Sequence, residues 1–116
     1  MSDWDLVFYE TAAGRCPVVD FLDGLDTREA AVFTEDLDLL ETFGIDLGPP
    51  KTKQIHGKLW ELRSRGRSQH RVFYVAVTGR RLVLLHAFTK KTQKTPPQEI
   101  QTARQRLRDY EQRGQA

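Results

Sequence analysis

Between Lys51 and Lys94 the chain places twelve Lys and Arg residues, all three of its histidines (His56, His70 and His86), and one acid, Glu61. That mixture suits chemistry on a phosphodiester. When an RNA 2′-hydroxyl attacks its neighbouring phosphorus, the protein need not provide a nucleophile. It must provide a base for the hydroxyl proton, cations for the charge growing on the nonbridging oxygens, and an acid for the departing 5′-oxygen. Arg71 is the first candidate, because a guanidinium held on a strand presents a fixed fork to phosphate; its other reading is a cross-sheet partner for Glu61. Arg63 lies two residues from Glu61, hence on the same face of a strand, and is a second phosphate contact. Glu61 is either the general base or the ion-pair partner that orients Arg63 or Arg71. His86 ends an apolar run and titrates near neutrality, so it can give or take a proton. Lys91, with Lys90 and Lys94, forms a basic run after that strand, suited to gripping a backbone and stabilising the transition state. Lys53, Lys58, Arg65 and Arg67 would extend a surface for a polyanion, and were that polyanion RNA, Phe88 is a candidate for stacking on a base. His56, beside Lys53 and Lys58, is a further proton carrier, while Tyr74 and Tyr110 are expected in the core.

Other chemistries find less support. One cysteine and three scattered histidines offer no metal-ligand spacing. No glycine-rich phosphate loop is present, so no cofactor and no metal are expected. The charge is strongly divided along the chain. Residues 1–48 carry twelve acids against Arg15 and Arg28, whereas residues 49–116 carry sixteen bases against Glu61, Glu99, Asp109 and Glu111. The net charge of +2 conceals this polarity, and a basic half of this density concentrates a polyanion unless the acidic half folds over it. At 116 residues a single domain, 1–116, is expected. Its opening lacks a basic, apolar leader, and its apolar runs are far too short to span a bilayer, so the expectation is a cytoplasmic protein without membrane contact.

The elements that must hold these residues can be read from periodicity. Leu6–Tyr9 reads as a strand ending in a turn at Gly14. Pro17 opens a short helix bearing Val18, Phe21, Leu22 and Leu25 on one side. Thr27 is placed to cap a longer helix with Phe33, Leu37 and Leu40 in line, stopped by Gly44. Residues 45–57, with Gly48-Pro49-Pro50, have no sustained period and read as a loop. Strands over Leu59–Arg63, Arg71–Val77 and Leu82–Phe88, joined by short turns, form an antiparallel meander. Residues 89–95 read as loop. Thr95-Pro96-Pro97-Gln98 has the form of a capping box opening a final helix through Ile100, Ala103, Leu107 and Tyr110. The sum is an α+β domain: an antiparallel sheet with an N-terminal helical hairpin and a C-terminal helix.

Three segments carry a wider likeness: Lys58-Leu59-Trp60-Glu61-Leu62-Arg63, Arg71-Val72-Phe73-Tyr74, and Leu84-Leu85-His86-Ala87-Phe88-Thr89-Lys90-Lys91-Thr92-Gln93-Lys94-Thr95-Pro96 followed by Glu99-Ile100. Together they resemble the phage-derived branch of the RelE/HigB toxin superfamily. The resemblance implies a microbial RNase-like fold and metal-independent cleavage of mRNA in the ribosomal decoding site. It also implies a cognate antitoxin, commonly a helix-turn-helix DNA-binding protein. The C-terminal tyrosine used in some branches has no match here. Two other readings are open at this point: a ParE-like toxin that inhibits gyrase without RNA chemistry, and a noncatalytic RNA-binding module acting through counterion release.

Overall fold

A computed structural model of the protein describes residues 3–114; Met1 and Ser2, where the opening read above as leaderless begins, lie outside the described residues. Strand β1 (Asp5–Phe8) leads to helix α1 (Pro17–Asp23), helix α2 (Thr27–Phe43) and a 3-10 turn (Gly44–Asp46). Strands β2 (Thr52–His56), β3 (Leu59–Arg65), β4 (Gln69–Val77) and β5 (Arg81–Lys90) follow, and helix α3 (Pro97–Gln112) closes the chain. The class is α+β. The five strands form one sheet in the order β1-β5-β4-β3-β2, antiparallel except that β1 runs parallel to β5.

Four local expectations are corrected. The segment read as a loop over 45–57 contains β2, which joins the meander at its edge. A polar edge strand with Lys53 exposed needs no apolar alternation, so it left no period to detect. Helix α2 is capped by Asp26, whose side chain accepts from Glu29 N at 2.8 Å, and Thr27 is its first helical residue. Helix α3 starts after Pro96, with Pro97 in the first turn and no side-chain cap, so the Thr95 capping box does not form. Strand β5 also runs on through Lys90, into the segment read as loop.

Both faces of the sheet are covered, which explains why β4 and β5 read as nearly continuous apolar runs rather than alternating ones. Helices α1 and α2 cover one face, where Val18, Phe33 and Leu40 meet Leu62, Val72, Leu82 and Leu84. Helix α3 lies on the other, where Ala103 and Tyr110 meet Leu59, Phe73, Val75, Val83 and Leu85. Each large apolar side chain fully buried in these clusters contributes about 1.5–3 kcal/mol. Among the described residues no helix is long and apolar enough to cross a membrane.

A bulge in β5 decides which residues share the α3 face. Phe73 pairs with His86 but Tyr74 pairs with Leu84, leaving Leu85 as an extra residue. Two consecutive side chains, Leu85 and His86, therefore point the same way, and everything after them changes face relative to a regular strand. Ala87 packs with α1 and α2, while Phe88 packs on the α3 side. Lys90, two residues on, follows Phe88.

The acidic half covers the sheet face that carries α1 and α2 and leaves the cations on the α3 face open. Among the described residues, its carboxylates meet the 51–94 stretch at Lys51 with Asp36 and at His70, whose Nε2 lies 3.4 Å from Glu29 Oε1.

Candidate functional site

Helix α3 covers only the apolar part of its sheet face. Beyond it come alternate residues of three strands: Arg63 and Arg65 on β3, Gln69 on β4 and Lys90 on β5 reach solvent, with Glu61 of β3 and Arg71 of β4 buried among them. The register sets Arg63 opposite Arg71, Arg65 opposite Gln69, and Gln69 opposite Lys90. A groove of about 400 Å³ lies here, lined by Arg63, Arg65, Gln69, Arg71, Lys90, Lys91, Thr92 and Gln93. An adjoining hollow of about 320 Å³ shares Arg63, Lys90 and Gln93 with it and adds Lys53, Glu61 and Lys94. Seven cations thus surround a single carboxylate. Like charges directly opposite on neighbouring strands oppose folding, so Arg63 facing Arg71 is a local cost that an anion in the groove would relieve.

Arg71 forms the floor. It is 2% exposed, with Nη1 donating to His70 O at 3.2 Å and Nη2 to Gln69 Oε1 at 3.1 Å. Burial pulls its pKa down, the Glu61 charge pushes it up, and Arg63 and Arg65 pull it down further. A guanidinium nevertheless stays charged at any physiological pH. Glu61 is equally buried, its Oε1 accepting from Arg63 Nε at 3.2 Å and lying 3.7 Å from Arg71 Nε. The two sequence readings of Arg71, phosphate contact and partner of Glu61, are therefore compatible: the carboxylate lies beside one edge of the fork. Arg71 Nε and Glu61 Oε2 have no hydrogen-bond partner among the described residues. A buried donor and a buried acceptor left open cost free energy unless a ligand completes them.

The remaining candidates divide. Arg63, Arg65, Arg71, Lys90 and Lys91 line the groove, and Glu61, Lys53 and Lys94 line the hollow beside it. Lys58 is elsewhere, 3.6 Å from Glu111 beside Val77 and Leu107. Arg67 is exposed on the β3–β4 turn and does not line the groove. Phe88 is 6% exposed and packed against Phe73 at a ring separation of 5.1 Å; it is a core residue, and the expectation that it offers a face to a base is corrected. Tyr74 and Tyr110 are core residues as read, each 2% exposed.

His86 shares the sheet face but does not open onto the groove. Its ring stacks on Phe88 at 5.6 Å and is held from above by α3, with Nε2 2.9 Å from Glu99 Oε1 and Nδ1 3.0 Å from Arg106 Nη1. A guanidinium only donates, so Nδ1 is the acceptor and Nε2 carries the proton to Glu99. Burial lowers the imidazole pKa first; the bond His86 donates to Glu99 opposes this and the Arg106 charge adds to the lowering. The ring is thus a neutral clamp between β5 and α3, and its expected role as an open proton carrier is corrected.

Sequence reasoning passed over Gln69, Thr92 and Gln93 in the groove and Glu99 and Arg106 around His86. For Gln69 a signal existed: it stands two residues before Arg71, on the same face of the strand. Arg106 was legible only as one of several helical arginines, because its bond to Leu85 O at 2.9 Å depends on how α3 lies across the sheet.

No curated protein matches the chain. Residues 20–108 match the family described as Phage derived protein Gp49-like (DUF891), a span that includes α2, the whole β2–β5 meander and most of α3. The chain belongs to this Gp49-like phage-derived family, a family of RelE/HigB-like toxins whose members act with an antitoxin as partner.

Proposed function

We propose that the protein is the toxin of a type II toxin–antitoxin pair, a metal-independent endoribonuclease that cuts messenger RNA on the ribosome and so stops translation. The observation that carries this reading is the meeting of Arg63, Arg71 and Lys91, from two strands and a loop, around one groove with Glu61 beside it. The scissile phosphate sits over Arg71, whose charge and fork, with Arg63, hold the nonbridging oxygens as negative charge grows. The Glu61 carboxylate takes the 2′-hydroxyl proton as the 2′-oxygen bonds to phosphorus. The bond from phosphorus to the 5′-oxygen breaks with its electron pair on that oxygen, which is protonated by Lys91. The products are a 2′,3′-cyclic phosphate and a 5′-hydroxyl. Lys53, Arg65, Lys90 and Lys94 carry the flanking backbone. The cognate antitoxin is a helix-turn-helix DNA-binding protein, and the compartment is the cytoplasm, where the ribosome is.

The test is induced expression of the wild type beside Arg71→Ala and Lys91→Ala, with 5′-ends of cellular mRNA mapped. Cuts within translated frames are expected for the wild type and loss of cuts for both variants. Growth arrest without such cuts would transfer the protein to the gyrase-inhibiting class. Graded, additive losses across many basic residues would mark a noncatalytic RNA binder.

A further inference from the structure

The charges of α3 are sorted. Each of its three acids is occupied: Glu99 by His86, Asp109 by the Tyr9 hydroxyl and Arg113, and Glu111 by Lys58. Of the arginines within the helix, Arg106 turns inward to Leu85 O and His86. Arg104 and Arg108 remain. Both are exposed, and among the described residues neither has a hydrogen bond or ion pair. They stand four residues apart, one above the other on a single helix face, separated by a rise of about 6 Å. Together with Pro97, Ile100 and Gln101 they line a hollow of about 420 Å³. The chain reaches this hollow directly from the groove, through Lys91 in the groove wall, Lys94 and Thr95 in the adjoining hollow, and then Pro97.

Surface arginines on a helix are ordinarily balanced by acids three or four residues away. Of the positions three or four residues from Arg104 and Arg108 only Glu111 is an acid, and it lies 3.6 Å from Lys58, so this face carries uncompensated positive charge beside Pro97 and Ile100. We propose that Arg104 and Arg108 form a second RNA-backbone site, which binds phosphodiesters outside the segment held in the groove. This rests on the RNA-cleaving reading given above and adds a second point of attachment to it. Its task is to hold the enzyme on the larger RNA that carries the scissile strand, and it contacts no reacting atom.

The test uses 2′-O-methyl oligonucleotides, which lack the attacking hydroxyl and report binding alone. One of about 4 nucleotides fills the groove only; one of about 24 also reaches α3. Affinities are measured by fluorescence anisotropy over a range of salt for the wild type, Arg104→Gln/Arg108→Gln, and Arg63→Gln, each checked for unchanged helicity. The double variant is expected to bind the long oligonucleotide about tenfold more weakly, with the slope of log affinity against log salt shallower by about 1.4, or about 0.7 per lost phosphate. Its affinity for the short oligonucleotide should be unchanged, whereas Arg63→Gln weakens both. If the double variant binds the long oligonucleotide as the wild type does, the second site is refuted and the nuclease reading stands. If the wild type binds neither length, the second site is refuted, and the nuclease reading is decided by the mapped mRNA 5′-ends alone. Binding of phosphatidylglycerol vesicles that is lost in the double variant while long-RNA binding persists would assign the pair to an anionic membrane surface and overturn the proposal.

Discussion

Replacing Arg71 by lysine keeps a positive charge at the groove floor and removes the planar fork. In the folded protein the guanidinium makes two bonds, to His70 O at 3.2 Å and to Gln69 Oε1 at 3.1 Å. A single ammonium on a differently shaped stem satisfies one of them. A hydrogen bond made by a charged group is worth about 1.5–3 kcal/mol, so the loss of one costs about 2 kcal/mol. Domains of this size hold about 5–15 kcal/mol, so the variant stays folded, with a lowered urea midpoint. The effect on turnover should be larger. Removing a preorganised donor from a developing oxyanion costs about 10²–10³ in kcat, and lysine cannot reproduce a bidentate contact. The assay is turnover per folded protein on translating ribosomes, read by primer extension, alongside urea denaturation. Turnover by Arg71→Lys within about threefold of wild type would show that the fork does no catalytic work, and would refute the assignment of Arg71 to the transition state.

Other outcomes test the surrounding structure. Because the pKa of His86 is held below its ordinary value by burial, the unfolded chain takes up the proton first; stability is full above about pH 6.5 and declines as pH falls below it. The wild-type urea midpoint should fall further between about pH 7.5 and pH 5.5 than that of His86→Gln, and equal falls would remove His86 as the cause. Gly44 has φ +53°, and a Cβ there would lie 2.2 Å from the Trp4 ring, whereas Gly57, at φ +56°, has open space. Gly44→Ala should therefore cost about 2–4 kcal/mol in chemical denaturation and Gly57→Ala only about 1–2 kcal/mol, the backbone share alone. Asp26→Ala should cost about 1 kcal/mol through loss of the α2 cap, and Thr27→Ala well under half of that. Equal costs would restore Thr27 as the cap.

Much of this molecule is legible in its residue order because the relevant physics is local. Alternation in β3 puts Glu61, Arg63 and Arg65 on one face whatever else the chain does, and the same rule places Arg71 two residues from Phe73. The apolar spacing of α3 and the division of charge between the halves are likewise properties of neighbours in sequence. What required the assembled fold is everything decided by distant segments. The extra residue Leu85 turns His86, Phe88 and Lys90 onto the α3 face, and only pairing with β4 reveals it. Once turned, Phe88 falls beneath the packed surface and His86 falls under Glu99 and Arg106, so two residues chosen for exposed chemistry become structural. Lys58 and Lys91 look alike in sequence. The strand register carries one toward Glu111 and brings the other to the groove, because where a solvated charge comes to rest depends on long-range packing and not on its own side chain.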